Sequence, residues 1–205
     1  MEDQEIMIRV AVERGLVEDI AAARNATNRA AGRGDGKRDL RPSAHLDVTG
    51  AAGELAFARH YGFPDEAVRV EFRKVDPGWD FEMPGTGLRV DVKSTWGKHR
   101  RLIYPAGKWP PAIIPDWFVL AWVVPLGDYF EVTLVGAIQG ERFGREAEIE
   151  ENMPTPALCV PNSALEPLSL RKRHFLEPLS LRKKRFLYGD WAREEERKIL
   201  EGGEA

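Results

Sequence analysis

Cysteine is almost missing from this chain. Cys159 stands alone among 205 residues, which excludes an internal disulfide and fits a reducing, cytoplasmic compartment. Its neighbours Ala157, Leu158 and Val160 read as a short strand around a buried thiol. Long hydrophobic runs are also missing. The longest nearly apolar stretch, Trp117 to Leu126, is far shorter than the roughly 20 residues that span a bilayer, so no membrane partner is expected. The first residues are acidic, not basic and then apolar, so no signal peptide is expected either. No Gly-x-x-x-x-Gly-Lys loop occurs, and coupling to ATP hydrolysis would need another protein. Nor is there a large excess of one charge: 30 Lys and Arg face 33 Asp and Glu, net −3. Bulk charge therefore does not advertise nucleic acid, and the distribution of charge matters more.

What is present suits one globular core: 43 % of residues are hydrophobic. The pattern divides into an N-terminal helical and basic segment (1–45), a core (46–164) and a basic, duplicated tail with a final helix (165–205). Residues 2–31 read as helix, with a break at Gly15. From Arg24 to Arg41 six basic residues meet two acids, and Gly32, Gly34 and Gly36 suggest a loop. That segment either tracks a phosphate backbone or is a solvated linker. His45 follows, a substrate contact or a structural histidine. A helix is expected from Asp47 or Thr49 to Tyr61, stopped by Gly62, with Ala51, Leu55 and Ala58 on one stripe and Glu54 beside it.

Val68 to Arg73 alternates as a strand. Asp116 to Val124 reads as a central strand buried on both faces, Tyr129 to Ile138 as the next strand, 139–151 as an acidic helix and Leu158 to Val160 as a short strand. The tail carries a tandem duplication, Leu165 to Phe175 recurring as Leu176 to Phe186. It is too short for a solenoid. It reads as a slippage product in which one copy docks on the core and the other extends outward.

The most informative stretch is Gly78 to Trp96. Trp79 to Met83 alternates apolar with acidic residues, Pro84-Gly85-Thr86-Gly87 is turn chemistry, and Leu88 to Thr95 alternates again. These features predict a β-hairpin. Asp91 and Lys93 project on one side of its second arm, about 7 Å apart along the strand, and Asp80 and Glu82 share a face of the first. If those faces coincide, two carboxylates and an ammonium meet. Convergent acids suit a hard divalent cation, and a lysine beside them can orient water or offset phosphate charge.

This arrangement, an acid on the first arm and Asp91-Val92-Lys93 on the second, resembles the active site of the PD-(D/E)XK nuclease superfamily. The family's proline is replaced: Trp79 precedes Asp80, and Gly78-Trp79-Asp80 is similar to the Gly-x-Asp form of Holliday-junction resolvase-like members. The resemblance implies an α/β fold with a restriction-endonuclease-like core, a central mixed β-sheet flanked by helices. It implies that Glu54, Asp80, Asp91 and Lys93 are catalytic. Glu54, Asp80, Asp91 and the Val92 carbonyl would bind Mg²⁺, for which Mn²⁺ would substitute. The implied activity is metal-dependent hydrolysis of DNA phosphodiester bonds, in a homodimer where both strands are cut. After Lys93 the chain stays free of acids to Lys108. There Lys98, His99, Arg100, Arg101 and Lys108, interleaved with Trp96, Tyr104 and Trp109, are the expected DNA contacts. The alternative is a non-catalytic nucleic-acid-binding or assembly module on the same fold.

Overall fold

The computed structural model describes residues 7–30, 43–68, 78–97, 101–111, 113–153 and 155–168. In chain order the elements are β1 (Ile8–Glu13), α1 (Arg14–Ala30), α2 (Ser43–Tyr61), β2 (Phe81–Glu82), β3 (Arg89–Trp96), β4 (Arg101–Pro105), β5 (Trp117–Leu126), β6 (Tyr129–Gln139), α3 (Gly140–Glu146), β7 (Glu148–Glu150) and β8 (Ala157–Pro161). The fold is α/β. A five-stranded mixed sheet runs β1-β6-β5-β3-β2 and a three-stranded antiparallel sheet runs β4-β8-β7. Within the larger sheet β3 and β5 are parallel and the other neighbours antiparallel. No described helix is long and apolar enough to cross a membrane.

The apolar run of β5 is explained by its position between β3 and β6. Trp117, Val119, Ala121 and Val123 face the layer formed by α1 and α2, where Val17, Ile20, Leu55 and Phe57 are buried. Phe118 and Leu120 face the opposite layer, with Leu102, Tyr104, Phe143, Leu158 and Val160. Each side of the strand thus serves a different core, and the usual alternation with polar residues disappears. Helix α2 ends in a Schellman motif. Gly62 takes φ +78°, its N–H donates to the Arg59 carbonyl at 3.4 Å, and Phe63 N–H donates to the Ala58 carbonyl at 2.9 Å.

The hairpin expected over Gly78–Trp96 forms. Phe81 pairs with Val90 and Glu82 with Arg89, and Met83 N–H donates to the Leu88 carbonyl at 2.8 Å. Gly85 and Gly87 both take positive φ in the turn. The buried strand at β5, the strand at β6 and the short strand around Cys159 also form as the patterns predict.

Elsewhere the structure differs. The expected helix over residues 2–31 begins with a strand, β1, whose Ile8, Val10 and Val12 alternate with Arg9, Ala11 and Glu13. It is held on β6 by the pairing of Ile8 with Leu134 through Glu13 with Tyr129. Gly15 does not break α1 but lies in its first turn. The basic stretch expected to contact DNA after β3 includes a strand, β4, because Leu102 and Tyr104 bury one face against the second core. The acidic helix expected over 139–151 is the short α3 followed by the strand β7. Val68 closes a 3₁₀ turn, and the rest of the strand expected over Val68–Arg73 lies outside the described residues. So does the tail after Leu168. The start of its first copy docks: Glu166 bridges to Ala137 on β6, and Leu165 and Leu168 are buried. The part of the N-terminal segment that is described, β1 and α1, is integral to the same sheet and core as the rest.

Candidate active site

The site is built where α2 lies against the parallel pair β3–β5. Small residues bring helix and sheet together. A Cβ added at Gly53 would stand 1.9 Å from Ser94 Oγ, 3.0 Å from Ser94 Cβ and 3.2 Å from Ala121 Cβ, so only glycine permits this approach. The next residue, Glu54, is carried to the sheet and is 6 % exposed. The pairing of β5 with β6 shifts register between Leu120 and Ala121, the residues opposite Lys93 and Ser94.

On β3, Val90 and Val92 point into the helical layer, so Asp91 and Lys93 point to the other side. Lys93 Nζ donates to Asp91 Oδ1 at 2.7 Å and lies 2.6 Å from Oδ2. It also stands 5.1 Å from the ring centroid of Tyr104 on β4, a cation–π contact. Asp91 is buried. Asp80 precedes β2, where its N–H donates to the Val90 carbonyl at 2.9 Å and its Oδ2 accepts the Val92 N–H at 2.7 Å. The two arms of the hairpin therefore place Asp80 beside the Asp91-Val92-Lys93 segment.

Glu54 is held from the other side. Arg24 of α1 donates through Nη1 to Oε1 at 2.8 Å and through Nη2 to Oε2 at 2.5 Å, a bidentate fork. Its Nη2 also donates to the Val68 carbonyl at 3.0 Å. Burial disfavours the charged forms of Arg24 and Lys93. Glu54, Asp80 and Asp47 outweigh that cost at Arg24, and Asp91 and Asp80 outweigh it at Lys93, so both pKa values lie above their ordinary ones. Asp80 is common to both sets.

Asp80, Asp91 and Lys93 are thus brought together at the hairpin, whereas Glu54 is held on the helical side in an ion pair with Arg24, and the charge of Asp80 reaches both Arg24 and Lys93. Among the described residues no three His, Cys, Asp or Glu side chains gather as a metal centre. The Val92 side chain is core, and its amide is engaged by Asp80.

From sequence, Arg24 opens a basic segment that either tracks a phosphate backbone or is a solvated linker; in the structure it is a buried partner of Glu54. A signal existed: Val17, Ile20, Ala21 and Arg24 recur at helical spacing, and a cation on an apolar stripe demands a buried acid. Lys98, His99 and Arg100 lie outside the described residues. Arg101 opens β4 and forms an ion pair with Glu150, and Lys108 is exposed at the end of a 3₁₀ turn. Tyr104 and Trp109, expected to offer stacking surfaces, pack with Phe118 and Phe143 in the second core, with ring centroids 4.9–6.3 Å apart. Only Trp96 is exposed, edge-on to Phe130. His45 lies in the first turn of α2.

Comparison with known proteins returns no matching family model, no matching curated protein and no matching solved structure.

Proposed function

We propose that this chain is a divalent-metal-dependent deoxyribonuclease with a restriction-endonuclease-like core, in the manner of the PD-(D/E)XK enzymes. The observation that carries the reading is the hairpin geometry. Asp80 binds the amide of Val92, and the flanking Asp91 and Lys93 project together from β3. This gives two acids and a lysine across the hairpin, with a third acid, Glu54, on the helix packed against the other face of β3.

The donor chemistry suits Mg²⁺, and Mn²⁺ as its substitute. The candidate ligands are carboxylates, hard oxygen donors, and the acids already gather positive charge, with Arg24 on Glu54 and Lys93 on Asp91. Asp80, Asp91 and the Val92 carbonyl would hold the ion, with Glu54 as the further acid. When bound, the ion supplies Lewis acidity at the scissile phosphate. Lys93 orients the attacking water and offsets the charge that builds on the phosphoryl oxygens as the new P–O bond forms and the old one breaks. Asp91 and the Tyr104 ring fix where that ammonium stands. Lys98, His99 and Arg100, directly after β3, provide phosphate contacts to the DNA. Cutting both strands with one site per chain would favour a two-fold homodimer.

A second reading is a nucleic-acid-binding or assembly module without catalysis. It is favoured by the bidentate hold of Arg24 on Glu54, which leaves the acids as separate ion pairs. One assay separates the two: cleavage of linear, flapped and four-way DNA with and without Mg²⁺ or Mn²⁺, for wild type, Lys93→Ala and Asp91→Asn. Metal-dependent cutting lost in both folded variants supports the nuclease. Binding of DNA without cutting, unchanged by either substitution, supports the module.

A further inference from the structure

We propose that Arg24 is a displaceable internal cation that occupies Glu54 until a divalent ion takes its place, so that it sets the metal affinity of the site. The inference rests on the nuclease reading and adds a residue to it from outside the hairpin and the glutamate helix.

The geometry points to competition for the same two oxygens. Arg24 uses both Nη atoms on both carboxylate oxygens of Glu54, at 2.8 and 2.5 Å. Coordination of an ion by Glu54 must break at least one of these bonds. Both side chains are largely buried, 16 % and 8 % exposed, so the acid is not left to water as its neutralising partner. The same guanidinium lies in the field of Asp80, the acid that accepts the Val92 amide on the opposite side of the site. A single positive charge therefore serves two of the three candidate metal ligands.

Arg24 is also incompletely satisfied where it sits. Its Nε is buried and finds no acceptor among the described residues, a costly arrangement for a guanidinium that served only as a strut. Its third bond reaches the Val68 carbonyl, the last described residue before the segment leading to the hairpin. Release of Arg24 thus removes the polar tie of α1 to Glu54 and to the Val68 carbonyl, and couples ion binding to the packing of α1.

The test is Mn²⁺ binding, by calorimetry and by the spin-resonance signal of the free ion, for wild type, Arg24→Gln, Arg24→Lys and Asp91→Asn. Folding of each variant is checked by circular dichroism. Glutamine removes the charge; lysine keeps it but cannot reproduce the fork. The expected result is Mn²⁺ bound about tenfold more tightly by Arg24→Gln, with Arg24→Lys also tighter than wild type. Binding by both variants and none by wild type supports the proposal as well. If Arg24→Gln does not fold, Arg24→Lys alone decides. Arg24→Lys equal to wild type means that Arg24 acts only through its field, and overturns displacement. Both variants equal to or weaker than wild type, with binding lost in Asp91→Asn, overturns the inference and leaves the nuclease reading standing. No binding by any of the proteins, or binding unaffected by Asp91→Asn, overturns both.

Discussion

Replacing Gly53 with alanine would force apart the contact on which the candidate site is built. The new methyl would stand 1.9 Å from Ser94 Oγ. The serine hydroxyl can rotate away, but Ser94 Cβ at 3.0 Å and Ala121 Cβ at 3.2 Å cannot. Helix α2 must then lift from β3 and β5. Overpacking of this kind costs about 1–3 kcal/mol, and alanine returns up to ~1 kcal/mol of helix propensity. The net loss is up to about 3 kcal/mol, which for a chain of this size lowers the melting temperature by up to roughly 12 °C. Gly50, one turn earlier on the same helix, is the internal control. Nothing lies within 4 Å of a Cβ built there, so Gly50→Ala should stabilise by roughly 0.5–1 kcal/mol. Ser94→Ala completes the set. The Ser94 Oγ is buried with no hydrogen-bond partner among the described residues, so its removal alone should be neutral or slightly stabilising. In the Gly53→Ala background it should restore part of the loss by removing the closest clash. Urea or thermal unfolding of the four proteins measures this. A Gly53→Ala protein as stable as Gly50→Ala would refute the close seating of α2.

Other outcomes are expected. Phe118→Ala should cost about 3–5 kcal/mol, because its ring is fully buried against Tyr104, Trp109 and Phe143; a loss below ~1 kcal/mol by denaturant titration would place the ring elsewhere. The backbone amide of Glu13 and the Arg59 side chain hold the Glu13 carboxyl below its ordinary value of 4.5. A depressed folded pKa gives stability that is present above the unfolded value and lost as pH falls through the folded one. The gap in melting temperature between wild type and Glu13→Gln should therefore close between about pH 5 and 3, and a constant gap would count against the pairing. Saturating Mg²⁺ should raise the melting temperature, by about 2.7 kcal/mol of added stability at a hundredfold excess over Kd. An equal rise in Asp91→Asn would show that the ion binds elsewhere.

The sequence made the hairpin readable because its signals are local: turn residues at fixed offsets and strict alternation on either side. The central strand was readable for a different reason, since a strand between two cores loses its polar face and shows as a run of apolar residues. Failures came where local signals competed. Ile8 to Glu13 alternates with period two, but charges and alanines around it suggest helix, and only pairing with β6 decides the matter. Arg101 to Pro105 follows a run of basic residues and holds an aromatic, so it reads as a nucleic-acid contact and its strand character is hidden. At the site, the identity and spacing of Asp80, Asp91 and Lys93 were legible. The partner of Glu54 was not, because Arg24 lies in another helix and meets it only after both helices have docked.

The outermost strand of the larger sheet has a consequence for the order of events in folding. Among the described residues strand β1 pairs with β6 alone, so Ile8–Glu13 wait for residues beyond Gly127 before they find their place. Contacts so distant in sequence close slowly, since the intervening loop entropy is lost before the pairing repays it. During synthesis the hairpin with Asp80, Asp91 and Lys93 can form first. The N-terminal strand takes its place on the sheet only once β6 has emerged.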